Sequence, residues 1–199
     1  MRSGIKLVAH GVSTVLVLPA LASFAIRRLI LGPDRALEGS TQALALLPGV
    51  AGCYLRRAFL SHVLAYCDRT ATVEFGTIFS QIGAHLDANV YVGPRCHLGL
   101  VHLERDVLLA AGVHVPSGAE THGAADVDRP IRDQPGRRAL VRIGEGTWVG
   151  SAAVVMQSVG CHAIVGAGAV VTTPIPDYAV AVGVPARVVR DRRAAAAQA

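Results

Sequence analysis

The chain is short of aromatic residues, of lysine and of long unbroken apolar runs. Phe, Trp and Tyr make up 5% of its 199 residues. That scarcity, with no recognisable binding motif, argues against a nucleic-acid module despite the basic charge. Lys6 is the sole lysine, so arginine carries the excess of 19 basic over 14 acidic residues. Arginine grips phosphate with a planar fork, which leaves an anionic membrane surface or a phosphate-bearing cofactor as the natural partners of that charge. No CxxC pair occurs among Cys53, Cys67, Cys96 and Cys161, so all four read as reduced packing residues of a cytosolic protein.

A full membrane span is also missing. The most apolar stretch, Gly11 to Ile26, falls short of the roughly twenty residues a transmembrane helix needs, and Pro19 near its middle would kink a helix. Arg2 and Lys6 precede it; Arg27 and Arg28 follow, which is the wrong flank for a cleavable signal peptide. Basic residues on both sides place both ends on the cytoplasmic face. Residues 1–31 therefore read as an interfacial or re-entrant membrane-associating helix. A helix packed on a neighbouring subunit and a true span are the alternatives.

What the chain does have is a period. In the stretch from Val141 to Arg190, aliphatic residues recur every six positions: Ile143, Val149 and Val155, then Val159, Val165 and Val171. Gly follows at 144, 150, 160 and 166. Leu86, Val92 and Leu98, then Leu103, Leu109 and Val115, repeat the spacing earlier. Two residues ahead of each of these lies a second small or apolar side chain: Ala84, Val90, Cys96, Val101, Val107 and Val113. A period of six fits neither the 3.6 of a helix nor the 2 of one strand. It predicts an all-β fold, a parallel β-helix of hexapeptide repeats, with the doubled stripe inside and small residues at the corners. A sandwich of short strands is the alternative, but sandwiches rarely hold a fixed period for so long.

Ahead of the repeats, residues 32–70 read as a short helical region. Gly32-Pro33-Asp34 breaks the first helix; Ala36–Leu47 and Cys53–Leu64 each form a short one, with Pro48-Gly49 between. Tyr54, Arg56, Arg57, Phe59 and His62 give the second a basic, aromatic face, read as solvated, with lipid headgroups as the other option. The β-helix domain is placed at 71–190, with Val73–Ala84 as an irregular first coil. Residues 116–140 interrupt the repeats with a polar, Gly- and Pro-containing loop that carries His122, Asp126, Asp128, Arg129 and Arg132. A long loop thrown out of a regular scaffold is functional or disordered. The tail, 191–199, is expected to be disordered.

The repeat run, a loop opening with THG, then TWVGS, VGAGAVVT and VGVPARVVR resemble the hexapeptide-repeat acetyltransferases, above all the galactoside and maltose O-acetyltransferases. The resemblance covers residues from about 86 to 190. It implies that the β-helix is left-handed, that the protein is a homotrimer, and that acetyl-CoA donates to a hydroxyl or amine. It also carries residue roles. The loop histidine that serves as general base falls on His122, with His114 as the next candidate and a structural residue by its place on a regular repeat. The polar residue one coil earlier that holds the acceptor or oxyanion falls on His97, where the family commonly has Asn. Trp148 matches the tryptophan that walls the acceptor end. Ser151, Ala167 and Thr172 match CoA contacts; Thr173 replaces a common Lys, and Arg187 and Arg190 match basic positions near the CoA nucleotide. The N-terminal region resembles, more weakly, the membrane-proximal extension of bacterial acyltransferases acting on surface polysaccharides.

The leading expectation is thus an acetyl-CoA-dependent O-acetyltransferase acting on a sugar of a surface polysaccharide or lipid-linked glycan, at the cytoplasmic face of the inner membrane and without a metal. A small soluble acceptor is one alternative. Another is a zinc enzyme of the γ-carbonic anhydrase type, for which His85, His97 and His102 supply candidate ligands. A non-catalytic scaffold that binds no CoA is the third.

Overall fold

The computed structural model describes residues 2–196, and the side chains of residues 9–194. Four helices come first: α1 (Arg2–Leu16), α2 (Leu18–Leu31), α3 (Pro33–Ala45) and α4 (Gly49–Val63). Short strands then wind into a three-sided prism. Its first turn is β1 (Tyr66–Cys67), β2 (Thr72–Val73) and β3 (Ile78–Phe79); its second is β4 (His85–Leu86), β5 (Tyr91–Val92) and β6 (His97–Leu98). The third is β7 (Val101–Leu103), β8 (Leu108–Leu109) and β9 (His114–Val115). After the loop come β10 (Val141–Ile143), β11 (Trp148–Val149) and β12 (Val154–Val155), then β13 (Ile164–Val165) and β14 (Val170–Val171). β15 (Ala179–Val182) closes the winding, β16 (Arg187–Asp191) folds back on it antiparallel, and α5 (Arg192–Ala196) follows.

Each turn adds a strand to each of three parallel faces. The first face is β1-β4-β7-β10, continued by bridges through Val159 and Ile175; the second is β2-β5-β8-β11-β13-β15; the third is β3-β6-β9-β12-β14. Side chains alternate along a strand, so the second residue of each pair points inward. Val73, Phe79, Leu86, Val92, Leu98, Leu103 and Leu109 are fully buried, as are the partners two residues ahead of several of them, Ala84, Val107 and Val113. Burying such a side chain is worth about 1.5–3 kcal/mol. Glycine after the aliphatic residue is a packing requirement: a Cβ on Gly150 would lie 2.5 Å from the backbone nitrogen of Ala167 in the next coil.

Regular winding begins at β1, ahead of the irregular first coil expected over Val73–Ala84. Cys67, Val73 and Phe79 already keep the spacing of six. The pattern is obscured there by polar residues at inner positions. Thr77 is buried, and its hydroxyl donates to the Gly93 carbonyl (2.8 Å) while accepting from the Cys96 amide (3.2 Å). Corners are likewise not reserved for glycine: Asn89, Arg95, Asp106 and Ala152 adopt the left-handed conformation there. Burial raises the Cys67 thiol to about 12 and the Cys96 thiol to about 11, and all four cysteines are free.

The helices close the open end of the prism. A parallel edge presents unpaired amides and carbonyls, and α3 and α4 satisfy them with side chains. The Thr41 hydroxyl donates to the Phe79 carbonyl (3.1 Å) and accepts from the Phe79 amide (3.2 Å). Asp34 accepts from the Ile82 amide (3.1 Å). Arg56, 2% exposed, donates from Nε to the Val73 carbonyl (2.9 Å) and from Nη1 to the Leu47 and Leu44 carbonyls (2.6 and 3.2 Å). Phe59 is buried and meets Phe24 edge-on at 6.0 Å. Arg56 and Phe59 therefore do not belong to a solvated face of α4; with Leu60 they form its inner face.

Val17 and Pro19 break the N-terminal run into α1 and α2. Among the described residues no single helix is long and apolar enough to cross a membrane; α1 and α2 together pass by length and composition, bent by 45°. Their exposed side chains include Val12, Val15, Leu16, Leu18, Ile26, Leu29, Ile30 and Leu31. At the other end, α5 replaces part of the expected disordered tail; residues 197–199 of that tail lie outside the described residues.

Arg56→Met should cost about 3 kcal/mol in urea unfolding, since three carbonyls lose a charged donor at a buried edge. Arg192→Met, on the exposed C-terminal side, should change stability by no more than about 0.5 kcal/mol.

Candidate active site

The loop leaves the prism after β9 and returns at β10, and its stem is tied shut. The Ser117 carbonyl accepts from the Ala139 amide (2.8 Å) and the Glu120 carbonyl from the Arg137 amide (2.6 Å). The Ser117 hydroxyl accepts from the Leu100 amide (2.8 Å). The two arms run so close that a Cβ on Gly136 would lie 2.0 Å from the Thr121 carbonyl oxygen. Farther out, buried Gln134 holds the turn: its side chain accepts from the Asp126 amide (3.0 Å) and donates to the Asp126 and Arg129 carbonyls (2.7 and 2.9 Å). Below the loop, Glu104 on the third coil accepts from Arg142 and from the Glu145 amide of the fourth. Burial, the largest single influence, would raise that carboxyl; the hydrogen bonds from Arg142 and the Glu145 amide, together with the Arg142 charge, outweigh it and hold the group below the usual carboxylate range.

His122 sits in this stem. It is exposed and lines an open hollow of about 550 Å³ with Glu120, Gly123, Pro135 and Arg137. Its ring makes no hydrogen bond among the described residues, so none of their carboxylates orients it. Thr121, the preceding residue, lines a second hollow of about 360 Å³ at the base of the loop. There the third face presents His97 and His114, which are register partners on β6 and β9 with ring centroids 6.2 Å apart. Both are exposed. His114 is thus not a packed structural residue, contrary to expectation; its side chain points outward because Val113 and Val115 take the inner positions.

The opposite wall of that groove comes from α3: Asp34, Arg35 and Glu38 face His97, His114, Ser117 and Arg138. Nothing in the repeat pattern marks these helical residues. The Gly-Pro-Asp signal gives the start of α3, not the surface it packs on; the bonds of Asp34 to the Ile82 amide and of Thr41 to Phe79 fix it over the third face.

The remaining expected residues lie farther along the prism. Trp148 is half-exposed on the second face, in one register row with Ile164, Val180 and Arg190. Ser151 and Ala167 are exposed at the corner between the second and third faces, and the Gly168 amide bonds to the Ser151 carbonyl across the coils (2.8 Å). Thr172 is exposed just past β14, and Arg187 and Arg190 are exposed on β16. Within one chain, then, His97, His114 and the loop gather at one groove, and Trp148, Ser151, Ala167 and Arg190 form a separate strip over the later coils. The histidines of the zinc alternative are divided. His85 and His102 stack on the first face at 4.3 Å, with Asp87 within 3.0 and 3.2 Å of their Nε2 atoms, while His97 is on the third.

No protein-family model matches the chain. Galactoside O-acetyltransferase of Escherichia coli K12 is 43% identical over 143 residues, 68% of each chain. WbbJ of Escherichia coli K12, which carries the name of a lipopolysaccharide biosynthesis O-acetyl transferase, is 29% identical over 148 residues, 63% of this chain and 74% of WbbJ. A Mycobacterium tuberculosis protein named "Probable acetyltransferase Rv3034c" is 42% identical over 74 residues, 36% of this chain, and the chain spans only 25% of that protein's length. Among solved structures, a galactoside acetyltransferase in complex with coenzyme A superposes with a TM-score of 0.61 over 82% of this chain and 84% of that one, at 22% identity. The protein is an acyltransferase. It belongs to the hexapeptide-repeat acetyltransferase family, and its prism is that family's left-handed parallel β-helix.

His114→Ala should leave the thermal midpoint within about 2 °C of wild type, as for an exposed side chain. Gln134→Ala should leave the prism folded but open the loop, so that limited trypsin digestion cuts faster at Arg129, Arg132 and Arg137. Equal digestion rates would show that Gln134 does not hold the loop.

Proposed function

We propose that the protein transfers the acetyl group of acetyl-CoA to a sugar hydroxyl of a surface polysaccharide or lipid-linked glycan, with His122 as general base. The observation that supports this reading is the loop stem: Thr121 lines the polar groove walled by His97, His114 and α3, and the next residue, His122, is exposed on a hollow of the same stem. The sugar reading draws support from the galactoside O-acetyltransferase and WbbJ likenesses, and the donor from the coenzyme A complex of the similar structure.

In this mechanism the neutral His122 imidazole accepts the proton of the acceptor hydroxyl as its oxygen attacks the thioester carbonyl. The tetrahedral oxyanion then collapses with cleavage of the C–S bond, and the imidazolium returns the proton to the departing thiolate. His97 and His114 are placed to hold the acceptor or the oxyanion by hydrogen bonds. Trp148 walls the acyl end. Ser151 and Ala167 leave a narrow corner for the pantetheine arm, Thr172 contacts it, and Arg187 and Arg190 meet the nucleotide phosphates. The strip and the groove lie apart in one chain, which fits a homotrimer in which one subunit's loop works beside the strip of the next. The bent helix pair α1–α2, with its exposed aliphatic residues, fits an interfacial anchor on the cytoplasmic membrane face.

His122→Ala should lower turnover by about two to four orders of magnitude with acetyl-CoA affinity unchanged, read by thiol release with a simple glycoside as acceptor. Near-normal turnover with chemistry rate-limiting would remove His122 as the base. The trimer and the anchor are read separately. Light scattering of detergent-solubilised protein should give three chains per particle, and the full-length protein should sediment with membranes and resist extraction by salt. A monomer, or a protein soluble without detergent, would refute the respective part.

A further inference from the structure

A hollow of about 470 Å³ lies between α1, α4 and the first coil, away from the groove and the strip. Its wall carries His10 from α1, Tyr54 and Arg57 from α4, and Arg69, Thr72 and Glu74 from the coil. The charge there is unbalanced. Among the described residues no carboxylate comes within ion-pair reach of Arg57 or Arg69. Glu74, the carboxylate on the wall, instead accepts from the Cys53 thiol at 3.4 Å.

Arg57 is set in place rather than free. Its guanidinium carbon lies 4.5 Å from the centre of the Tyr54 ring, and Nη1 donates to the Ala71 carbonyl (3.2 Å). Yet its Nε, and Nδ1 of His10, are buried with no hydrogen-bond partner among the described residues. Buried donors are almost always satisfied, and leaving one unmet is costly. The field has a sign as well: burial, then Arg57, Arg69 and His62, push His10 below its ordinary value. An anion in the hollow would relieve that field.

We propose that this hollow binds a phosphate group, gripped by Arg57 and Arg69, and that an anionic phospholipid headgroup supplies it. Arginine's fork matches phosphate oxygens with paired N–H donors. The lipid as source rests on the membrane reading given above. Val50, on the wall, is 74% exposed, and Val12, Val15 and Leu16 are exposed on α1 beyond His10. Aliphatic side chains thus flank a cationic recess, the arrangement in which acyl chains and headgroup are met by one surface.

The test compares full-length protein with Arg57→Gln, Arg57→Lys and Arg69→Gln. Vesicles of phosphatidylcholine alone, and with phosphatidylglycerol added, are scored by co-sedimentation; glycerol 3-phosphate is scored in solution by thermal shift. Arg69 is exposed, so its variant keeps the question open if Arg57 variants fail to fold. Wild type should prefer the phosphatidylglycerol vesicles, and each variant should lose about fivefold or more of that preference, with binding to neutral vesicles unchanged. Glycerol 3-phosphate should raise the midpoint of wild type and not of the variants. Arg57→Lys is decisive: it keeps the charge but not the fork, so full retention of the preference would overturn the site in favour of diffuse charge attraction. Stabilisation by glycerol 3-phosphate without vesicle binding would support the phosphate site and overturn the lipid as its source. Vesicle binding that no variant alters would overturn the site while leaving the anchor reading intact.

Discussion

Everything in this molecule depends on one coil hydrogen-bonding to the next. Strands of two residues have no stability of their own; each is held by amide-to-carbonyl bonds from the coils above and below and by the aliphatic residue it sends inward. Such a stack is a nearest-neighbour structure, and its weak places are its ends. At the start, the unmet carbonyls and amides of the first coil are closed by Arg56, Thr41 and Asp34, side chains from helices rather than another coil. At the finish, β16 turns back on β15. The helical extension is therefore structural before it is anything else, and the membrane role proposed for its outer surface comes on top of that.

The same constraint explains which parts were legible in the sequence. Wherever the inner positions are aliphatic and the following residue is glycine, as from Ile143 to Val171, the period of six declares the fold. It is weaker where the inner position is filled by a hydrogen-bonded threonine and no glycine run supports it, as at Thr77, whose hydroxyl bonds to the next coil. The first coil was read as irregular, and its start placed too late, for that reason. Arg56 was misjudged for a related one: an arginine reads as a surface residue unless the carbonyls that need it can be seen, and those lie as far along the chain as Val73.

The candidate site was legible only in part. His97, His114 and His122 stand out because a regular scaffold makes any departure conspicuous, and the first two meet because β6 and β9 are in register. The carboxylates of α3 that wall the groove were not legible, since a helix and a sheet face brought together across the fold share no period. The same holds for Asp87, which joins His85 and His102 through the stacking of coils rather than through spacing.

The closed stem of the loop has a wider consequence. The chain leaves the prism and re-enters it at the same level: the Val141 amide bonds to the Leu100 carbonyl (3.0 Å), Ala139 bonds to Ser117, and Glu104 pins the coil below to Arg142. What lies beyond those clamps bears no load for the winding. Residues can be gained or lost between Glu120 and Arg137 at little more than the entropy of a longer closure, while the coil beneath stays in step. Such a segment behaves as an exchangeable cassette, free to change in length and sequence over evolutionary time without the scaffold having to be reinvented.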